Sequence, residues 1–311
     1  MTRFTKAAVA LAIACVFGAS AHAKDLVGVG VTLGSLGNPF FVAISKGAEA
    51  KVRQINPKAR FTAVSADYDL NKQVSQIDSF ISAGMNLILI NAVDPKAIAP
   101  AIARARAAGV TVVAVDAGAD GADAVVSTDN VRAGELACDF IVKALNGKGS
   151  VIIQNGPPVT AVTDRVKGCK NVFAKAKEIN VLSDDQDAKA SREGGLNVMQ
   201  THLTKFSKID AVFAINDPQA VGSDLAAKQL GRKGIVITSV DGAPDIEQAL
   251  RGDTLVQASA SQDPWGMAQK AVEVGAELVD GKKPSQPTVL LEPKLVTRDN
   301  VKDYKGWGSQ R

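Results

Sequence analysis

A chain of 311 residues with 36 Lys and Arg against 32 Asp and Glu has a formal net charge of only +4, and its basic residues are scattered instead of forming blocks. That is no electrostatic footprint for nucleic acid, so no nucleic-acid partner is expected. Two histidines and three cysteines, none of them clustered, exclude a zinc centre and leave few general bases, so no resident cofactor or metal is expected.

In chain order, Arg3 and Lys6 form a positive start, Ala7 to Ala19 an apolar stretch, and Ala21-His22-Ala23 a small-x-small cleavage site. Residues 1–23 therefore read as an export signal, with the mature chain beginning at Lys24. The apolar stretch is too short to span a bilayer. Cys15 loosely imitates a lipid-attachment site, but the apolar run continues past it. From Lys24 onward the chain is long enough for two domains of ordinary size.

The runs Val27–Leu33, Phe61–Val64, Leu87–Ile90 and Val110–Val115 are short and nearly continuously apolar, as strands buried on both faces of a parallel sheet are. Between them, Phe41–Ile55, Val74–Ala83 and Ile98–Ala107 place apolar residues at three- and four-residue spacing, and Gly84 and Gly109 punctuate helix ends. This alternation predicts right-handed βαβ crossovers. After Val125-Val126 and the polar turn Ser127–Asn130 the rhythm restarts, with strands at Val151–Ile153, Ala211–Ile215, Ile235–Val240 and Leu255–Ala260. A helix over Trp265–Val279 and a strand over Thr288–Leu291 follow. The fold class is α/β: two similar doubly wound parallel-sheet lobes in tandem, with no low-complexity tether between them.

Cys138 and Cys169 fall on neighbouring helices of the second lobe. In an oxidising compartment they can pair; otherwise they are two ordinary small buried side chains, and spacing alone does not decide.

Open parallel sheets bind ligands beyond the carboxyl ends of their strands. The residues at those ends are Asn38, Asn91, Asp116, Asn216, Asp241 and Gln262. Carboxylates accept hydrogen bonds and amides both donate and accept, which suits vicinal hydroxyls. Asp and Asn at strand ends also cap helices, and Asp217 and Asp245, each leading into a helical pattern, are read as caps. Arg165 offers a guanidinium fork for two hydroxyls. Phe41 reads as a core residue, and Phe40 is open to either role. Gly28-Val29-Gly30 lacks the third glycine of a dinucleotide fingerprint, and no Walker lysine, serine elbow or Cys/His pair occurs.

These residues resemble the periplasmic substrate-binding proteins of sugar ABC transporters, in the ribose-binding group, over essentially the whole mature chain. The resemblance is carried by Asn38-Pro39-Phe40-Phe41, Leu87–Asn91, Val115-Asp116, Ser127–Asn130, Arg165–Gly168, Gly195–Gln200, Phe213–Asp217 and Val240–Asp245. It implies a periplasmic, non-enzymatic two-lobed receptor with a three-stranded hinge, closing on a small sugar or polyol and delivering it to a membrane permease, with a chemoreceptor as a second possible partner. The implied crossings lie near Ser127–Asp129, Ser261–Asp263 and Leu291–Pro293. One lobe then comprises 24–127 and 262–291, the other 128–261 and 292–311. The implied ligand contacts are Asn38, Phe40, Phe41, Asp116, Arg165, Asn216, Asp241 and Gln262. The chain departs from ribose binders in having Ala117 after the aspartate, a residue near Ala190 for an aromatic of the second lobe, and Val240 for phenylalanine. Trp265 is the candidate replacement aromatic. A sugar-responsive transcription factor shares the core but needs a DNA-binding segment where the export signal stands, and an exported sugar enzyme lacks its catalytic set.

Overall fold

The structure is a computed structural model that describes residues 25–283 and 286–307. The expected export signal and cleavage site lie outside the described residues.

Two six-stranded sheets form the framework. The first has the order β2 (Arg60–Ser65), β1 (Gly28–Leu33), β3 (Leu87–Ile90), β4 (Thr111–Val115), β5 (Ala124–Thr128) and β11 (Thr288–Leu291), all parallel. The second repeats the pattern with β7 (Glu178–Ser183), β6 (Lys148–Gln154), β8 (Ala211–Ala214), β9 (Val236–Asp241), β10 (Val256–Ser261) and β12 (Lys294–Thr297). Here the last strand departs from the expected all-parallel arrangement, because β12 runs antiparallel to β10. A two-residue link from β11 leaves no length for the crossover that a parallel neighbour requires.

Strand alternation explains how each sheet is covered on both faces. Leu87, Leu89, Val113 and Val115 join the apolar cluster under helices α1 (Pro39–Ile55) and α9 (Pro264–Val279). Their neighbours Ile88, Ile90, Val112 and Ala114 join the cluster under α2 (Leu70–Ser82) and α3 (Ala99–Ala107). In the second lobe Val151, Ile153 and Phe213 face α4 (Asn130–Ala144) and α5 (Thr160–Phe173). Ile152 and Val212 face α6 (Arg192–Lys205), α7 (Asp217–Gln229) and α8 (Pro244–Arg251).

The chain passes between the sheets three times, at Thr128 to Asn130, Ser261 to Pro264 and Leu291 to Lys294. Two of these passages are fixed by helix caps: Asp129 accepts from Arg132 N at 2.9 Å and Asp263 from Gly266 N at 3.0 Å. Strands β7 and β12 escaped the apolar-run reading because both are edge strands with exposed or half-buried side chains. Cys138 of α4 and Cys169 of α5 are joined by a disulfide. Around it the two helices touch backbone to backbone: a Cβ on Gly134 would lie 2.0 Å from the Arg165 carbonyl oxygen, and one on Gly168 2.0 Å from that of Val131.

Candidate functional site

All nine residues singled out from the sequence, Asn38, Phe40, Phe41, Asn91, Asp116, Arg165, Asn216, Asp241 and Gln262, line one cavity between the lobes. The first lobe brings the start of α1 and the ends of β3 and β4; the second brings the start of α5 and the ends of β8 and β9; Gln262 follows β10 at a crossing. Val159, Ala161, Val162 and Ile215 add an apolar wall, and Tyr68 and Ala190 complete the lining.

Local backbone aims these groups. Asn38 caps α1 by accepting from Phe40 N at 3.0 Å, with Pro39 preset for the first turn. Asn216 likewise caps α7, accepting from Gln219 N at 3.1 Å while its amide donates to the Ala190 carbonyl at 3.0 Å. The capping expected of Asp217 therefore belongs to Asn216. Asp217 is instead buried, with Oδ1 accepting from Ser239 and Ser259 hydroxyls at 2.5 and 2.7 Å and Oδ2 from Ala243 N at 2.7 Å. Nor does Asp245 cap: Ala243 precedes α8, and Asp245 pairs with Arg192 at 2.8 Å.

Asp116 and Asp241 adopt φ of +66° and +135°, a region that disfavours side chains at a cost of about 1–3 kcal/mol each. Neighbours hold them there. Asp116 N donates to the Val126 carbonyl at 2.9 Å and its own carbonyl accepts from Ser127 Oγ at 2.6 Å. The Asp241 carbonyl accepts from Gln262 N at 2.9 Å and from Trp307 Nε1 at 3.1 Å.

Arg165 is 5 % exposed. Its Nε donates to Asn130 Oδ1 at 2.8 Å, and Nη1 donates to the Ile215 carbonyl at 2.8 Å and to Asp241 Oδ1 at 3.2 Å. Gln262 Nε2 reaches the same Asp241 oxygen at 2.8 Å. Asn91 Nδ2 donates to Asp116 Oδ2 at 2.8 Å. Two buried acceptors in the lining, Asp116 Oδ1 and Gln262 Oε1, have no hydrogen-bond partner among the described residues. Burial pushes the Asp116 carboxyl up to about 7, opposed by the Arg165 charge and reinforced by Asp241. Burial raises Asp241 to about 6, again against the pull of Arg165.

Phe40 and Phe41 are both buried and meet edge to face at 5.5 Å between ring centroids. Trp265 does not line the cavity: it lies in the first turn of α9, where its backbone abuts Gly47 of α1. The sequence reading missed Tyr68 and the tail residue Trp307, whose ring meets Phe40 at 5.6 Å. In the tail the signal was only an aromatic in a polar stretch. The lobes also touch directly, Gly118 N donating to Thr160 Oγ1 at 2.7 Å.

Comparison with known proteins agrees with this geometry. The ribose import binding protein of Bacillus subtilis is 33% identical over 87% of this chain and 87% of its own length. The xylitol-binding protein of Mycolicibacterium smegmatis is 30% identical over 93% of this chain and 82% of its own. An ABC transporter solute binding protein from Mycobacterium smegmatis, solved with bound glycerol, superposes with a TM-score of 0.84 at 26% identity, covering 89% of this chain and 96% of that one. Residues 29–283 match the periplasmic binding protein domain, and the chain belongs to that family.

Proposed function

We propose that this protein captures a small sugar or polyol between its two lobes in the periplasm and delivers it to an ABC transporter permease, without covalent chemistry. The observation that carries this is the pair of buried, unpartnered acceptors, Asp116 Oδ1 and Gln262 Oε1, inside a cavity built from both lobes. A buried acceptor without a donor costs about 1–3 kcal/mol, and ligand hydroxyls supply the missing donors. Phe40 and Phe41 offer apolar surface to C–H groups, and Arg165 offers N–H groups.

Closure follows from the two-sided lining. Asn38, Asn91 and Asp116 act from one lobe and Arg165, Asn216 and Asp241 from the other, so a ligand touching both favours the closed state over the open one. The moving bodies are 24–127 with 262–291 and 128–261 with 292–311, which turn about the three crossings. The relatives that bind ribose and xylitol by name support a polyhydroxy cargo.

The test is a thermal-shift and calorimetric screen of residues 24–311 against pentoses, hexoses, furanoses and polyols. A ligand at 100 times its Kd stabilises by about 2.7 kcal/mol. A saturable hit without product formation supports the reading, and a flat profile across the panel rejects it.

A further inference from the structure

Tyr68 stands in the cleft at a place that neither strand ends nor helix starts account for. It lies in the turn between β2 and α2, where Asp67 and Tyr68 have φ of +53° and +57° in succession. That paired left-handed turn is tied down on every side. Tyr68 N donates to the Gly34 carbonyl at 3.1 Å, the Asp67 carboxylate pairs with Ser65 Oγ and Lys72 Nζ, and Asp69 caps α2. Gly34 gives the ring its room, since a Cβ there would lie 2.9 Å from Tyr68 Cε1. The ring packs against the apolar clusters of both lobes.

On the other side of the cleft is a second left-handed pair, Lys189 and Ala190 with φ of +55° and +48°. Tyr68, Asn38 and Ala190 line both the inner cavity and an outer crevice of about 470 Å³ that opens beyond them. Tyr68 is therefore part of the wall between a roomy entrance and an inner chamber of only about 40 Å³. A chamber walled off in this way sets a limit on the length of the ligand it can hold.

We infer that Tyr68 is the specificity-determining residue that caps the chamber and limits the cargo to compact polyols and small sugars. This rests on the polyhydroxy-ligand reading of the same cavity. Removing the side chain merges the chamber with the crevice and opens one end of the site to longer ligands. The phenol hydroxyl has no hydrogen-bond partner among the described residues, and closing off the chamber is the work of the ring.

The test is calorimetry of the wild type, Tyr68→Phe, Tyr68→Leu and Tyr68→Ala with glycerol, erythritol, xylitol, D-ribose, D-galactose and a disaccharide, each variant first shown to unfold cooperatively. The expected result is that the wild type takes one or more of the first four. Tyr68→Phe should stay within about threefold of it. Tyr68→Ala should lose at least tenfold for that ligand while gaining measurable affinity for D-galactose or the disaccharide. Tyr68→Leu, which keeps apolar contact with both lobes, should lose affinity in the same direction and covers the case in which the alanine variant does not fold. A wild type that prefers D-galactose or the disaccharide, or leucine and alanine variants with an unchanged ligand profile, overturns the inference. A wild type that binds nothing in this set or in the wider panel removes the receptor reading and this inference with it.

Discussion

Arg165 Nη1 lies 3.2 Å from Asp241 Oδ1, with the two side chains only 6% and 5% exposed, so the cavity floor is a buried ion pair. Such a pair is weak evidence of stability in itself, but removing one partner strands the other in low dielectric. Asp116 and Asp241 both feel the Arg165 charge. Arg165→Met is expected to cost about 3–5 kcal/mol in denaturant unfolding and to abolish ligand binding. Adding Asp241→Asn to Arg165→Met should recover part of the stability and none of the binding. Additive effects of the two substitutions on stability would show that the pair is not coupled.

The carboxylates give the ligand-free closed form a distinctive pH dependence. Asp116 titrates at about 7 and Asp241 at about 6 when folded, both above the ordinary aspartate value near 3.9 in the unfolded chain. Where the folded value is raised, the folded form holds more protons, so stability is gained as pH falls through 7 and 6 and lost as it rises again. Hydroxyls that donate to these groups require the ionised form, so affinity moves the opposite way and weakens as pH falls through the same window. His202, buried with both ring nitrogens unpartnered, has its value lowered by burial, so acid eventually charges it and reverses the gain. Thermal unfolding and calorimetry from pH 8 to pH 5 check both limbs, and Asp116→Asn should flatten the upper part of each. Affinity that rises on acidification would contradict this account.

The disulfide between Cys138 and Cys169 closes a separation of 31 residues and joins the two helices that hold the guanidinium. Asn130 at the start of α4 orients Arg165 Nε, and Arg165 lies one turn before Cys169 on α5. Constraining the unfolded chain over such a loop contributes about 3 kcal/mol. Cys138→Ser with Cys169→Ser is expected to lower the unfolding free energy by about that much and to weaken ligand binding less. Gly134→Ala should damage both stability and binding strongly, because its Cβ would press on the Arg165 carbonyl and push α5 off α4. Unfolding curves and titrations on the two variants distinguish these effects.

What was legible in the sequence follows from how each residue is buried. Leu87–Ile90 and Ala211–Ala214 are covered on both faces and announce themselves as apolar runs. Edge strands such as Glu178–Ser183 carry no such signal, because most of their side chains see solvent. The strand-end polar residues were readable because the C-terminal rim of a parallel sheet faces the ligand whatever the helices do. Asn216 shows that capping and lining are compatible, since one amide does both. Tyr68 was not readable: its place depends on two consecutive left-handed residues, which neither periodicity nor the identities Asp67-Tyr68 imply. Trp265 was the more visible aromatic, yet the helix that carries it turns its backbone to Gly47 and leaves the cavity to others.

Trp307 belongs to the same unreadable class and makes the sharpest statement about closure. The segment after β12 lies on the second lobe, where Val301 joins the core and the Tyr304 hydroxyl donates to the Gly242 carbonyl at 2.9 Å. Trp307 then crosses to the first lobe, packing against its apolar cluster and against the Phe40 ring while its indole N–H holds the Asp241 carbonyl. One side chain thus braces a binding aromatic of one lobe against a strained binding aspartate of the other. The hydrogen bond and the aromatic contact are together worth about 2 kcal/mol. Part of that is made only when the lobes are closed. Trp307→Ala is therefore expected to lower ligand affinity about fivefold, chiefly through faster release, and to lower the unfolding free energy of the ligand-free protein by about 1 kcal/mol, the share of the hydrogen bond made within the second lobe. Surface-immobilised protein gives the release rate directly, without relying on the tryptophan that the substitution removes. An unchanged release rate in Trp307→Ala, with Phe40→Ala as the positive control, would show that the tail merely lies alongside the cleft.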